Sequence, residues 1–165
     1  MTAVVVADAG PLIGLGRVGR LPLLRLLYGA LLIPPRVLEE LDVGSGRPGA
    51  TAVAQALAEG WLQVRSIGDP SGLSRLSGLV DAGEAEALVL AEEVVLRFLL
   101  IDDRRGRAVA RRRGLTVVGT GGVLLAAKKK GLQEAVGLVV AELAATGYRL
   151  SPELRARLLA LAGES

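Results

Sequence analysis

Four short apolar runs punctuate the chain: "AVVVA" at 3–7, "ALLI" at 30–33, "FLLI" at 98–101 and "LTVV" at 115–118. A strand covered on both faces has no polar side to show, so unbroken runs of this length predict strands inside a parallel sheet. Between them the pattern turns helical. "LPLLRLLYG", "PPRVLEEL", "GATAVAQALAEG", "AGEAEALVLAEEV", "RGRAVARRRG" and "GVLLAAKKKG" have the character of helices, and Gly29, Gly60, Gly114 and Gly131 follow apolar or basic last turns as stop signals. Strands alternating with helices predict an α/β domain around a parallel sheet. "WLQVRSI" at 61–67 reads either as an edge strand or as extended loop.

After Gly131 the alternation stops. "LQEAVGLVVAELAATG" and "SPELRARLLALAGE" read as two helices, the second opened by Ser151 as N-cap, Pro152 at N1 and Glu153 in the first turn. The expected organisation is an α/β domain over 1–131 and a helical hairpin over 132–165. The hairpin's apolar stripes, at Val136, Val139, Val140 and Leu143 and at Leu154, Leu158, Leu159 and Leu161, need cover from the α/β body or from a second subunit.

Composition narrows the chemistry. Cys and His are both absent, which excludes disulfides, thiolate catalysis, a histidine base and the usual zinc ligand sets. No apolar stretch approaches the length of a membrane span, and "MTAVVVADAG" lacks the basic start of a secretion signal. A soluble, cytoplasmic protein without a membrane partner is expected. With 20 Lys+Arg against 17 Asp+Glu, the net charge of +3 permits a polyanionic partner.

In open α/β sheets, functional groups gather beyond the carboxyl ends of the strands. Asp8 follows "VVVA", Asp102 follows "LLI" and Thr120 follows "VVG". Glu40 in "PPRVLEEL" and Glu84 in "GEAEALVLA" border apolar helix faces and can join them. Each has an ordinary alternative role: Asp8 and Asp102 as N-caps, Glu84 at the positive end of a helix dipole, Glu40 as a solvated helical acid. Four acids in one crevice would repel, by roughly 3 kcal/mol per pair at about 5 Å and an effective dielectric near 20. A hard divalent ion removes that cost, and oxygen-only ligands favour Mg²⁺ or Mn²⁺. The chemistry that fits is phosphodiester hydrolysis by metal-activated water.

Taken in order, "VVVADAGPLIGLG", "IPPRVLEEL", "GEAEALVLAEE" and "LLIDDRRGRAVARRRGLTVVGTGGVLLAAKKKGL" resemble the PIN-domain family, in its prokaryotic, toxin-like branch of predicted nucleic-acid-binding proteins. The tail "ELAATGYRLSPELRARLLALAGE" resembles that branch's C-terminal end. The resemblance implies a three-layer α/β fold, a central parallel sheet flanked by helices, that acts as a Mg²⁺- or Mn²⁺-dependent endoribonuclease. It puts the acid quartet on Asp8, Glu40, Glu84 and Asp102. Asp103 can replace or join Asp102 as a ligand, while Glu39, Glu86 and Asp81 are weaker candidates. Glu84 stands where many members carry Asp, and Thr120 matches a small polar residue able to bind water or a phosphate oxygen. RNA is the expected substrate, a homodimer the expected assembly, and a toxin role with an antitoxin partner stays open.

Asp102 and Asp103 are followed by six arginines in ten residues. Arg104, Arg107 and Arg111 share one helix face and could line a phosphate track; the alternative is that the later arginines only complement the helix C-terminus. The aromatics are Tyr28, Trp61, Phe98 and Tyr148 alone, too few for a base-stacking platform. Two rival readings remain. "GLGRVG" at Gly14–Gly19 is a literal dinucleotide fingerprint, although "DAGPLI" separates it from its strand. A non-catalytic scaffold of the same fold, binding RNA or a protein, is the second.

Overall fold

The apolar runs form five parallel strands in the computed structural model, which describes residues 2–164. They are β1 (Val4–Ala7), β2 (Leu31–Ile33), β3 (Leu62–Val64), β4 (Leu96–Leu100) and β5 (Val117–Val118). Their order across the sheet is β3-β2-β1-β4-β5. Val5 and Val6 lie opposite Leu31 and Leu32 on one side, and opposite Phe98 and Leu99 on the other. Leu31, Leu32 and Ile33 are all buried, as are Val5, Val6 and Ala7. That is why these strands carry no alternation. The segment at 61–67 supplies an edge strand, but only over Leu62–Val64.

Ten α-helices flank the sheet among the described residues: α1 (Ala9–Arg17), α2 (Pro22–Tyr28), α3 (Pro35–Leu41), α4 (Ala50–Glu59), α5 (Leu73–Leu76), α6 (Ala82–Glu93), α7 (Arg104–Arg112), α8 (Thr120–Lys129), α9 (Val136–Ala145) and α10 (Pro152–Leu161). Gly60 closes α4 with φ +84°, the left-handed conformation a stop glycine supplies. Helix α6 is buried from Gly83 to Ala91 except at Glu86. The apolar-stripe picture of this helix is therefore too modest, and Glu84 lies inside the protein rather than at a border.

Helix α1 is absent from the predicted set, because Gly10, Pro11, Gly14 and Gly16 fall within nine residues. The structure shows why a helix tolerates them. Pro11 sits near the helix start, where a missing N–H costs little. A Cβ on Gly16 would come 3.1 Å from the Gly49 carbonyl oxygen of the segment leading into α4, and one on Gly14 would come 3.2 Å from the Tyr148 ring. These glycines permit close packing. The short α5, with the 3₁₀ turn at Pro70–Gly72 before it, also lacks a periodic signal.

The tail folds as two helices, and Ser151 caps α10 by accepting from the Leu154 N–H at 3.2 Å. All four stripe residues of α9 are buried, so this helix is covered by its own chain, packing on α1 and α8. Helix α10 is only half seated: Leu158 is buried, while Leu154 and Leu161 are 46% and 68% exposed. No helix among the described residues is long and apolar enough to cross a membrane.

Candidate active site

The strand order reverses direction between β1 and β4, since β2 and β3 extend one way and β5 the other. The loops leaving β1 and β4 therefore part, opening a crevice at the carboxyl ends of these two strands. Ala7 lies opposite Leu100, and the ladder continues as the Asp8 N–H donates to the Leu100 carbonyl at 2.9 Å. Asp8 and Asp102 thus flank the point of divergence.

Neither aspartate is a simple helix cap. Asp8 occupies the N-cap position of α1 without a capping side-chain hydrogen bond, and its Oδ1 is buried with no partner. Helix α7 is capped by Asp103, which accepts from the Gly106 N–H at 2.8 Å. Burial pushes the Asp8 carboxyl up to about 7; the neighbouring Ala9 N–H lowers it, and the charges of Asp81, Glu40 and Asp102 raise it further.

Glu84 and Asp81 form a reciprocal capping box at the start of α6. Glu84 Oε1 accepts from the Asp81 N–H at 3.1 Å, and Asp81 Oδ1 accepts from the Glu84 N–H at 2.8 Å. The second Glu84 oxygen, Oε2, is buried without a partner. Burial raises the Glu84 pKa far above the usual carboxylate range; Asp103, within hydrogen-bonding reach, and the charges of Asp81 and Asp8 raise it further.

Glu40 stands at the exposed end of this group. Its carboxylate lies against Gly83, where a Cβ would come within 2.6 Å of the carboxyl carbon. Desolvation and Asp81 raise its pKa. Asp81 therefore repels Asp8, Glu40 and Glu84 together, a more central position than its place in the sequence suggests. "DAGE" is legible in sequence as a capping box, though not as a shared electrostatic neighbour. Glu39 and Glu86 serve Arg36 instead: Glu39 pairs with its guanidinium at 3.2 Å, and Glu86 accepts its backbone N–H at 3.3 Å. Among the described residues no three acids are gathered closely enough to hold an ion as the side chains stand.

Asp102 is held by three donors. The Thr120 N–H reaches Oδ1 at 2.7 Å, the Thr120 hydroxyl reaches Oδ2 at 2.6 Å, and the Tyr148 hydroxyl also donates to Oδ2. Thr120, expected as a ligand for water or phosphate, is 1% exposed with its hydroxyl and its N–H both turned to Asp102. Tyr148 is the residue that sequence reading misses. It comes from the turn between α9 and α10, 46 residues from Asp102, and no local pattern links the two.

A cleft of about 790 Å³ opens beside Asp102 and Asp103, between α7 on one side and α10 on the other. Arg104, Arg107 and Arg111 line the first wall, and Arg149 and Arg157 join the lining from the hairpin. Arg107 also anchors the strand end by donating to the Ile101 carbonyl at 3.0 Å. Of the later basic residues, Arg113 pairs with Glu92 at 2.8 Å and Lys128 with Glu164 at 2.7 Å, away from this lining. Positive charge on both walls with acids at one end can hold a phosphodiester backbone next to the carboxylates.

The dinucleotide reading fails on position. Gly14 and Gly16 lie within helix α1, whereas the fingerprint requires glycines in the turn leaving the strand. No curated protein and no solved structure matches the chain significantly. The sequence pattern of the PIN domain does, over residues 4–164, a span that includes the C-terminal hairpin. With acids at the switch point of a parallel sheet and that match over almost its whole length, the chain belongs to the PIN-domain family.

Proposed function

We propose that the protein is a divalent-metal-dependent endoribonuclease. Membership of the PIN-domain family supports a nuclease in general terms. The observation that carries the finer reading is the pair of buried, unpartnered carboxylate oxygens, Asp8 Oδ1 and Glu84 Oε2. Evicting water from an acid without giving it a donor is costly unless the site awaits a cation. The donor set is oxygen only, as Mg²⁺ or Mn²⁺ requires. Asp8, Glu84, Glu40 and Asp102 would hold the ion, with Asp103 beside them and Asp81 raising the local negative charge. When bound, the ion would neutralise that charge and activate water for attack on phosphorus.

The rest of the work falls to the chain itself. Thr120 fixes the rotamer of Asp102, and the capping box fixes that of Glu84. Arg104, Arg107 and Arg111 hold the single strand by its phosphates, with Arg149 and Arg157 opposite. With a single tyrosine in the cleft, backbone contacts rather than base stacking set selectivity. A toxin role restrained by a partner protein, homodimer formation and a cytoplasmic location belong to the same proposal, on the family resemblance.

The test is cleavage of a mixed single-stranded RNA pool with Mg²⁺ or Mn²⁺, with and without chelator. Asp8→Asn and Asp102→Asn should each lose orders of magnitude in rate. Near-parental cleavage by both variants would overturn the assignment. Binding of RNA and Mn²⁺ without cleavage would instead identify a scaffold.

A further inference from the structure

We propose that Tyr148 is a positioning residue of the acid site, its hydroxyl setting the orientation in which Asp102 meets a cation. The inference rests on the metal-site reading above and adds to it a residue from the C-terminal hairpin.

Two contacts fix Tyr148 at opposite ends. Its ring lies over Gly14 of α1, where a Cβ would come 3.2 Å from Cδ2 and 3.4 Å from Cε2. Its hydroxyl donates to Asp102 Oδ2 and lies 3.4 Å from the Thr120 hydroxyl. Gly14 belongs to the helix that Asp8 opens, and Asp102 follows β4. One side chain therefore ties together the two segments whose acids flank the switch point.

An ionised carboxylate offers about four acceptor positions, two on each oxygen. Thr120 and Tyr148 fill both on Oδ2, and the Thr120 N–H fills one on Oδ1. A single lone-pair direction remains, on Oδ1. Without the tyrosine hydroxyl, Oδ2 keeps only the rotatable threonine hydroxyl, and the carboxylate is held by two donors from Thr120 in place of three from two segments. Hydrogen bonds that orient a metal ligand in this way are commonly worth 10- to 100-fold in affinity.

The experiment measures Mn²⁺ affinity by calorimetry for the parent, Asp102→Asn and Tyr148→Phe, together with melting curves in chelator. Phenylalanine keeps the ring on Gly14 and removes only the oxygen. The expected result is a Tyr148→Phe protein that melts cooperatively within a few degrees of the parent and binds Mn²⁺ about tenfold more weakly. A merely structural tyrosine would lower the melting temperature and leave affinity unchanged. Parental or tighter Mn²⁺ binding by Tyr148→Phe, with binding lost in Asp102→Asn, would overturn the positioning role and leave the metal site standing. No Mn²⁺ binding by the parent would overturn both.

Discussion

A side chain on Gly106 would begin 2.7 Å from Glu84 Oε2 and 2.6 Å from Ile101 Cδ1, so the first turn of α7 closes directly on the buried acid. In an ordinary helix, replacing glycine by alanine stabilises by about 1 kcal/mol. Here both neighbours are buried, and neither can withdraw without disturbing the core. Gly106→Ala should reverse the usual sign and destabilise by about 1–3 kcal/mol, a fall of roughly 2–12 °C in a chain of this size. Thermal melts of the two proteins in chelator check this.

The pH dependence of the metal-free protein follows from Asp8. Its carboxyl titrates at about 7 when folded against 3.8 ordinarily, so the native state binds the extra proton between those values. Stability from this group is greatest below about 4 and falls as pH rises through about 7. Glu84 is displaced in the same direction. The parent in chelator should melt lower at pH 8 than at pH 6, and Asp8→Asn should melt higher than the parent at pH 8. Saturating Mn²⁺ should raise the parent more than the variant, because the ion stabilises only the state that holds it. A variant less stable than the parent in chelator and equally responsive to Mn²⁺ would mark Asp8 as a helix cap only.

Replacing Arg104 and Arg111 by alanine should weaken RNA binding about equally across sequences. Both are exposed and line the cleft. Each lost phosphate contact should reduce the slope of log affinity against log salt by about 0.7 on a single strand. Arg107→Ala should cost more, since this residue also braces the Ile101 carbonyl. Filter binding at several salt concentrations gives the slopes.

Glu164 closes the hairpin onto the body. Its carboxylate accepts from Lys128 Nζ at 2.7 Å and from the Val136 and Gly137 N–H groups at 2.8 and 2.9 Å, the unpaired donors at the start of α9. The Lys128 ammonium and these two amides hold it down to about 2. A lowered carboxylate pKa gives stability that is present above the ordinary value of 4.5 and lost as pH falls toward about 2. Protection of the Val136 and Gly137 amides against hydrogen exchange, taken relative to the unfolded chain at the same pH, should fall over that acid range in the parent and should be reduced at neutral pH in Glu164→Gln.

The strands are legible in the sequence because burial on both faces leaves no alternation to misread, and the switch point follows from their parallel arrangement. Asp8 and Asp102 can be placed from that alone. The burial of Glu84 cannot, because "AGEAEALVLA" looks amphipathic while α6 is enclosed nearly all round. Helix α1 is hidden by glycines whose use lies in contacts with Tyr148 and Gly49, distant in the chain. Tyr148 is hidden for the same reason. It reads as one of four scattered aromatics, and its partners Asp102, Thr120 and Gly14 meet it only after folding.

The outer strands of the sheet are short, three residues in β3 and two in β5. An exposed strand edge is a template on which another chain can add main-chain hydrogen bonds, and its danger grows with its length. Edges this brief offer little for such templating, which guards the leucine- and valine-rich interior against runaway strand addition. Copies of the chain that associate should therefore meet through side chains on helices rather than through sheets continued from molecule to molecule.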